Sequence, residues 1–372
     1  MDAFFVSVEL LDRPELRGKP VVVAKGTDPH ARGVVMAASY EARRFGVHSA
    51  LPLAIAHRRC PQAILLPRDF ARYQRASRRV MDILRRFADR VEVAGLDEAY
   101  LDLRDCPAPK ARARRLKEEV RAETGLVCSV GLAPNKLLAK IASDLDKPDG
   151  FRVLAREEML DAVGDRPASL LPGVGPKTAE RLARMGIRTV AELAGADRGP
   201  LEEALGSKLG AALRERANGH DDRAVTTEHG RKSESRETTF SENVSDAATL
   251  RATVERLGES VCRGLAEHGY HGRTVTLKIR LAPFRTHTRS RTLQRPTADP
   301  EVVRQVALEL LDAFDRDAPV RLLGVGVAGL AAVEGRSGRS RGRGPRGDRS
   351  GRRGAAQPRA RRIGAGWAPT WS

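Results

Sequence analysis

Two acidic side chains stand next to each other at Asp97 and Glu98, inside the apolar stretch Val91–Leu103. Neighbouring carboxylates repel unless a cation sits between them. Magnesium, a hard ion that takes oxygen ligands, is the natural partner for such a pair. Within a strand, successive side chains point to opposite faces, so two adjacent acids share a site only where the backbone bends. The small residues Ala94-Gly95 supply a turn just before them. Taken alone, the same pair is also what a solvated acidic turn looks like. A second group, Pro172-Gly173-Val174-Gly175-Pro176-Lys177-Thr178, has a different chemistry. A tight Gly-x-Gly turn opening a helix presents backbone N–H groups that bind a phosphate oxygen without reading a base. Gly173, Gly175, Lys177 and Thr178 are therefore DNA-backbone candidates. A third group is Lys278 and Arg280, followed by Arg289 and Arg291 on the next strand. Cations repeated over two strands of a sheet make a surface for a duplex backbone.

These residues need elements to hold them. Val91 and Val93, then Leu96, Tyr100, Leu101 and Leu103, read as two short strands around the acidic turn. Upstream, Val21–Val23, Val34–Ala37 and Ala63–Leu66 read as strands. Ser39 caps a helix carrying Tyr40, Arg43 and Arg44, and Pro52 stands at a first helical turn. Apolar residues at helical spacing make 69–90 a core-facing helix, and 109–123 a basic amphipathic one. A strand over 126–132 and a helix over 135–145 follow, closed by Lys147-Pro148-Asp149-Gly150. Residues 168–193 read as helix, Gly-x-Gly turn, helix, and 218–235 as a polar linker. The order strand, helix, strand, strand, helix, strand fills 236–330. In it, Val275, Leu277, Ile279 and Leu281 alternate with Thr276, Lys278 and Arg280.

At 372 residues, the chain is too long for one ordinary core and is expected to hold two to four domains. Its net charge of +18 and pI near 10.5 call for a polyanionic partner, nucleic acid before membrane. Residues 336–362 hold eleven Arg against one acid, so this segment supplies +10 of that charge. The Gly/Arg/Ser/Pro-rich stretch from 333 to 372 is expected to be disordered and to bind DNA electrostatically. Cys60, Cys106, Cys128 and Cys262 show no zinc spacing and suit reduced thiols. With no run of membrane length and no signal pattern, the expected location is the cytoplasm.

Several segments together resemble the Y-family (translesion) DNA polymerases, nearest their bacterial branch, over roughly residues 1–330. They are residues 1–9, Met-Asp-Ala-Phe-Phe-Val-Ser-Val-Glu; 38–43, Ala-Ser-Tyr-Glu-Ala-Arg; 96–102, Leu-Asp-Glu-Ala-Tyr-Leu-Asp; 130–136, Val-Gly-Leu-Ala-Pro-Asn-Lys; and 147–150. The resemblance implies an α+β polymerase "right hand" with a ferredoxin-like palm from 1–11 and 71–165 and small fingers from 12–70. It further implies a helical helix-hairpin-helix thumb at 166–217, and a βαββαβ little-finger domain at 236–332 beyond the linker. It also implies template-directed, error-prone DNA synthesis with two magnesium ions. Asp97 would ligate both ions and Glu98 the one at the primer end. Phe4, Phe5, Tyr40, Arg43 and Lys147 match nucleotide-contacting positions, Phe5 being the steric gate against a 2′-hydroxyl. The implied partners are primer-template DNA and deoxynucleoside triphosphates, with the protein acting as a monomer.

The chain departs from the family pattern in three places. The family carries a strand, ending in a metal-binding acid, just ahead of the position of Asp2, and the sequence begins at Met1. The expectation is a late start relative to a working polymerase, and a tail read in a shifted frame. Ala37-Ala38 stands where many relatives have a phosphate-binding Thr. No clear sliding-clamp peptide is present: residues 305–310, Gln-Val-Ala-Leu-Glu-Leu, look similar but fall in an amphipathic helix. Two rivals remain at this stage. One is a truncated relative that only binds DNA; the other, a nucleotide cyclase on a similar palm, has no need of the Gly-x-Gly hairpin.

Overall fold

Around the acidic pair, the computed structural model places two three-residue strands, β4 (Val91–Val93) and β5 (Ala99–Leu101), in antiparallel register with Glu92 opposite Tyr100. The structure describes residues 1–227 and 230–333. The Arg-rich segment beyond 333 lies outside the described residues. The chain divides into two units, Met1–His229 and Gly230–Ser372.

The first unit opens with helix α1 (Phe4–Leu11), which buries Phe4, Val6, Val8 and Glu9. Strands β1 (Val21–Ala24), β2 (Ala37–Ala38) and β3 (Ile64–Pro67) form a small sheet in the order β2-β1-β3. The strand expected from Val34 contracts to β2, with Val34 making only an isolated bridge to Pro52. Between the strands lie α2 (Tyr40–Arg43), capped by the Ser39 hydroxyl on the Ala42 N–H, and α3 (Leu53–Arg59). The long helix α4 (Phe70–Phe87) turns Tyr73, Val80, Ile83, Leu84 and Phe87 inward, as its spacing requires. It packs on α5 (Pro109–Thr124).

Strand β6 (Val130–Leu132) pairs in parallel with β7 (Phe151–Val153), and α6 (Lys136–Leu145) runs between them with Asn135 as N-cap. Among the described residues, β4-β5 and β6-β7 are separate two-stranded ladders. Gly131 of β6 touches α6 directly: a Cβ there would lie 2.1 Å from the Ala139 carbonyl oxygen. Helices α7 (Met159–Val163), α8 (Pro176–Arg184), α9 (Val190–Gly195), α10 (Arg198–Leu205) and α11 (Ser207–Ala217) share a core of their own with α6. The helix expected ahead of the Gly-x-Gly turn is a single 3-10 turn, Ala168–Leu170. Pro167 and Pro172 bracket it and leave no length for more.

The second unit is a βαββαβ sheet-and-helix layer: β8 (Ser233–Val244), α12 (Ala247–His268), β9 (Tyr270–Leu281), β10 (Arg285–Thr297), α13 (Pro300–Asp312) and β11 (Val320–Ala328). A two-residue β12 (Ala331–Ala332) adds to β9. The sheet order is β10-β9-β11-β8. Both helices cover the face made by Val275, Leu277, Ile279 and Leu281. Strand β8 starts at Ser233, inside the expected linker. Residues 219–224 of that segment are laid along α6.

Candidate active site

The turn between β4 and β5 closes when the Ala94 and Gly95 amides donate to the Glu98 carbonyl, at 2.9 and 3.1 Å. Asp97 and Glu98 therefore sit at the tip, where the strand alternation that would separate them is suspended. The Met1 nitrogen reaches the Asp97 carbonyl oxygen at 2.6 Å. Facing the turn is one side of α6. Lys140 donates to Glu98 at 2.9 Å and to Asp144 at 3.3 Å, and Lys147 meets Asp144 at 2.5 Å. Burial disfavours the Lys140 charge, yet Glu98 and Asp144 outweigh it and hold the ammonium above the ordinary lysine value. Burial opposes ionisation of Asp144 in the same way; Lys147 and Lys140 overcome it and keep the acid below the usual range. A cavity of about 780 Å³ opens behind this row, lined among others by Asp97, Glu98, Lys140 and Lys147. Asp102 lines it too but is forked by Arg104, at 2.6 Å.

Tyr40, at the start of α2, has a buried hydroxyl with no hydrogen-bond partner, the one such side-chain atom among the described residues. Burial first, then the charges of Asp2 and Asp144, hold its proton on. Arg43 lies over its ring at 4.7 Å and donates from Nε to the Ala38 carbonyl. Asp2 is buried and accepts from the Ser129 hydroxyl and, at 2.8 Å, from the Asp149 N–H. It thereby ties the start of α1 to the Lys147–Gly150 turn. Phe5 is half-buried and stacks on Tyr73, with centroids 4.3 Å apart and planes 15° from parallel. The Tyr73 hydroxyl donates to buried Glu9, which also holds Arg13 and Arg72. Phe4 is only 3% exposed and belongs to the core, so its side chain is removed from the nucleotide-contacting set.

The candidate DNA contacts divide. Gly173 adopts a φ of 99°, a backbone open to glycine, and Gly175 caps α8 facing open space. Lys177 is exposed and Thr178 half-buried on the first turn of α8. On the sheet, the expectation of one basic face across two strands is corrected. Arg289 and Arg291 stand opposite Leu277 and Val275 in the β10-β9 register. Directly opposed residues share a face, so both arginines lie on the helix side. Arg289 covers the Phe314 ring, and Arg291 pairs with Glu309 of α13. The open face carries Lys278 and Arg280 opposite Thr288 and Thr286. Lys278 is itself buried against Glu237 at 2.7 Å, while Arg280 bonds the Thr286 hydroxyl.

Sequence reading missed Lys140, Asp144, and the Tyr73–Glu9 support of Phe5. The spacing of Lys136, Lys140 and Asp144 on one helix side was the available signal for the first two. Among the described residues no group of three or more His, Cys, Asp or Glu converges as a metal cage. Two carboxylates do suit magnesium, which keeps several waters and is held by one or two acids together with substrate phosphates.

Comparison with known proteins identifies the whole arrangement. Residues 1–144 match the impB/mucB/samB family, residues 231–340 its C-terminal domain, and residues 169–221 the DNA polymerase-iota thumb domain. The chain is 45% identical over 331 residues to a DNA polymerase IV of Methanoculleus marisnigri, covering 87% of this chain and 91% of that one. It is 44% identical over 337 residues to a DNA polymerase IV of Alkalilimnicola ehrlichii, covering 90% and 94%. Among solved structures, a Y-family chimera of Dbh and Dpo4 superposes with a TM-score of 0.78 at 28% identity, covering 88% of this chain and 96% of that one. DinB from Sulfolobus solfataricus gives 0.60 at 27% identity, covering 90% and 98%. The fold is that of the right-hand polymerases, and the chain belongs to the impB/mucB/samB group, the Y-family of DNA polymerases.

Proposed function

We propose that this protein is a DNA-directed DNA polymerase of the translesion class, extending a primer-template with deoxynucleoside triphosphates. The observation that carries this reading is the acidic turn set against a row of cations. Glu98 pairs with Lys140, Lys147 joins the row through Asp144, and Asp97 lines the same cavity, with the unpartnered Tyr40 hydroxyl and Arg43 on α2. Two carboxylates next to four groups able to bind phosphate oxygens suit a site that takes a triphosphate and a divalent metal together. Asp97 and Glu98 would hold that metal, taken as two magnesium ions. The chemistry it would supply there is activation of the primer 3′-hydroxyl and neutralisation of charge on the leaving pyrophosphate.

The chain's own residues do the remainder. The Tyr40 hydroxyl, already protonated and unpartnered, donates to a phosphate oxygen. Arg43 and Lys147 bind the same triphosphate as cations. Phe5, pressed flat against Tyr73, sits beneath the sugar and leaves no room for a 2′-hydroxyl. Gly173, Gly175, Lys177 and Thr178 hold the duplex backbone from the N-terminus of α8. Arg280 serves it from the open face of the second unit. We place the protein in the cytoplasm as a monomer; no helix among the described residues is long and apolar enough to cross a membrane. DNA binding without synthesis is not favoured for a chain that matches polymerases over nearly its whole length.

Primer extension tests the assignment. Asp97→Asn and Glu98→Gln should each lower extension on the order of 10³-fold, the several kcal/mol a bound metal supplies, while gel-shift affinity for DNA stays unchanged. Normal extension by Asp97→Asn would refute the site.

A further inference from the structure

Beneath the acidic turn lies an ion pair that plays no part in the chemistry above. Lys136 of α6 reaches both carboxylate oxygens of Glu92 in β4, at 2.8 and 2.7 Å, and the two side chains are only 10% and 8% exposed. Replacing such a buried pair by apolar residues of similar volume is often neutral or stabilising, so packing alone is a weak reason to keep it. Its remaining bonds differ from anything an apolar pair supplies. Glu92 accepts the Thr226 N–H at 2.9 Å, and Lys136 donates to the Ala224 carbonyl at 3.3 Å. Both belong to the extended segment after α11. That segment is anchored further along: Asp221 accepts the Leu137 N–H at 3.0 Å, and Asn135 donates to the Gly219 carbonyl at 2.8 Å. The segment thus completes the first turn of α6 with an acid, which the helix dipole favours.

We propose that Glu92 and Lys136 are positioning residues for the acidic turn, and that residues 219–226 are the strap that locks them. The geometry supports this in two ways. Glu92 stands opposite Tyr100 at the base of the hairpin whose tip carries Asp97 and Glu98, and Lys136 lies over the Tyr100 ring at 5.3 Å. Lys136 also precedes by one helical turn Lys140, which holds Glu98. One side of α6 therefore grips the hairpin at base and tip. The strap fixes the base grip through the Thr226 N–H and the Ala224 carbonyl.

The lock itself is read without DNA or nucleotide, by hydrogen exchange on the full chain at the Ala94 and Gly95 amides that close the turn. The variants are the double substitution Glu92→Leu/Lys136→Met, and Thr226→Pro, which removes the N–H that Glu92 accepts from a residue outside the core. Both should speed exchange at Ala94 and Gly95 about tenfold. The effect on catalysis rests on the polymerase reading. There, the maximal rate of single-nucleotide addition should fall about tenfold, with apparent nucleotide affinity and DNA affinity held within about twofold. A purely structural pair would let the apolar double variant exchange and turn over like the parent, which overturns the proposal. Should the double variant not fold, unchanged exchange in Thr226→Pro overturns it equally. Faster exchange in a chain whose parent extends no primer leaves the lock standing and defeats the polymerase reading instead.

Discussion

Ribonucleotide exclusion offers the sharpest test of how the site is built. The perturbations are Phe5→Ala and, separately, Tyr73→Leu and Tyr73→Phe. Phe5 is held from beneath by Tyr73, 4.3 Å away and nearly parallel, and Tyr73 is held by Glu9 at 2.8 Å. A hydroxyl forced onto a ring so supported is an overpacking problem of about 1–3 kcal/mol. That corresponds to roughly 5- to 150-fold discrimination, and Phe5→Ala should lose most of it. Tyr73→Leu leaves the Phe5 ring in place and removes the stack together with the hydroxyl; the stack is worth about 0.5–1.5 kcal/mol, so discrimination should fall roughly 2- to 12-fold. Tyr73→Phe keeps the stack and deletes the hydroxyl; it should cost about 1 kcal/mol of stability and leave selection nearly intact. The assay is the ratio of kcat/KM for a ribonucleotide and the matching deoxynucleotide, opposite one template base. An unchanged ratio in Phe5→Ala would show that the ring does not face the sugar.

Two further outcomes follow from packing and charge. Gly131→Ala places a methyl 2.1 Å from the Ala139 carbonyl and 2.5 Å from the Ser143 nitrogen, both backbone atoms that cannot swing aside. Strand β6 and helix α6 must part, at about 3 kcal/mol, which should lower the Tm of the first unit by about 6–12 °C; an unmoved Tm refutes the close approach. Asp144 titrates below its ordinary value despite burial, because Lys147 and Lys140 hold its charge. A depressed folded pKa means the ionised acid adds stability above about pH 4, and that this is lost as pH falls through the folded value. The stability gap between the parent and Asp144→Asn, measured by denaturant titration, should therefore shrink from pH 7 toward pH 3. A gap that widens toward acid would refute the pairing.

The elements with strong periodicity were legible beforehand. Helix α4 buries the residues its spacing marks except Phe70 at its first turn, which stays exposed, and β9 alternates as read. The acidic pair was legible as well, since adjacent acids after a small-residue turn are a local feature. What escaped depends on partners far away in the chain. Lys140 became part of the site only because α6 packs beside β4-β5, a contact no local pattern reports. The placement of Arg289 and Arg291 required the register between β10 and β9, which the hairpin turn sets. The polar composition of 218–235 reads as a linker by the same statistics that describe a free chain. Yet Asp221, Ala224 and Thr226 find partners on α6 and β4, and so the first part of that stretch is fastened down.

The β10 register has an evolutionary consequence. Along that strand Thr286, Thr288, Ser290 and Thr292 point one way, and His287, Arg289 and Arg291 the other. Removing or adding a single residue in the short connection at 282–284 shifts the parity of the whole strand. A neutral, hydroxylated face would then be exchanged for a cationic one in one step, with no codon within the strand altered. The affinity of the second unit for a polyanion is thus adjustable by a change in loop length, a coarser and faster route than accumulating arginines one at a time.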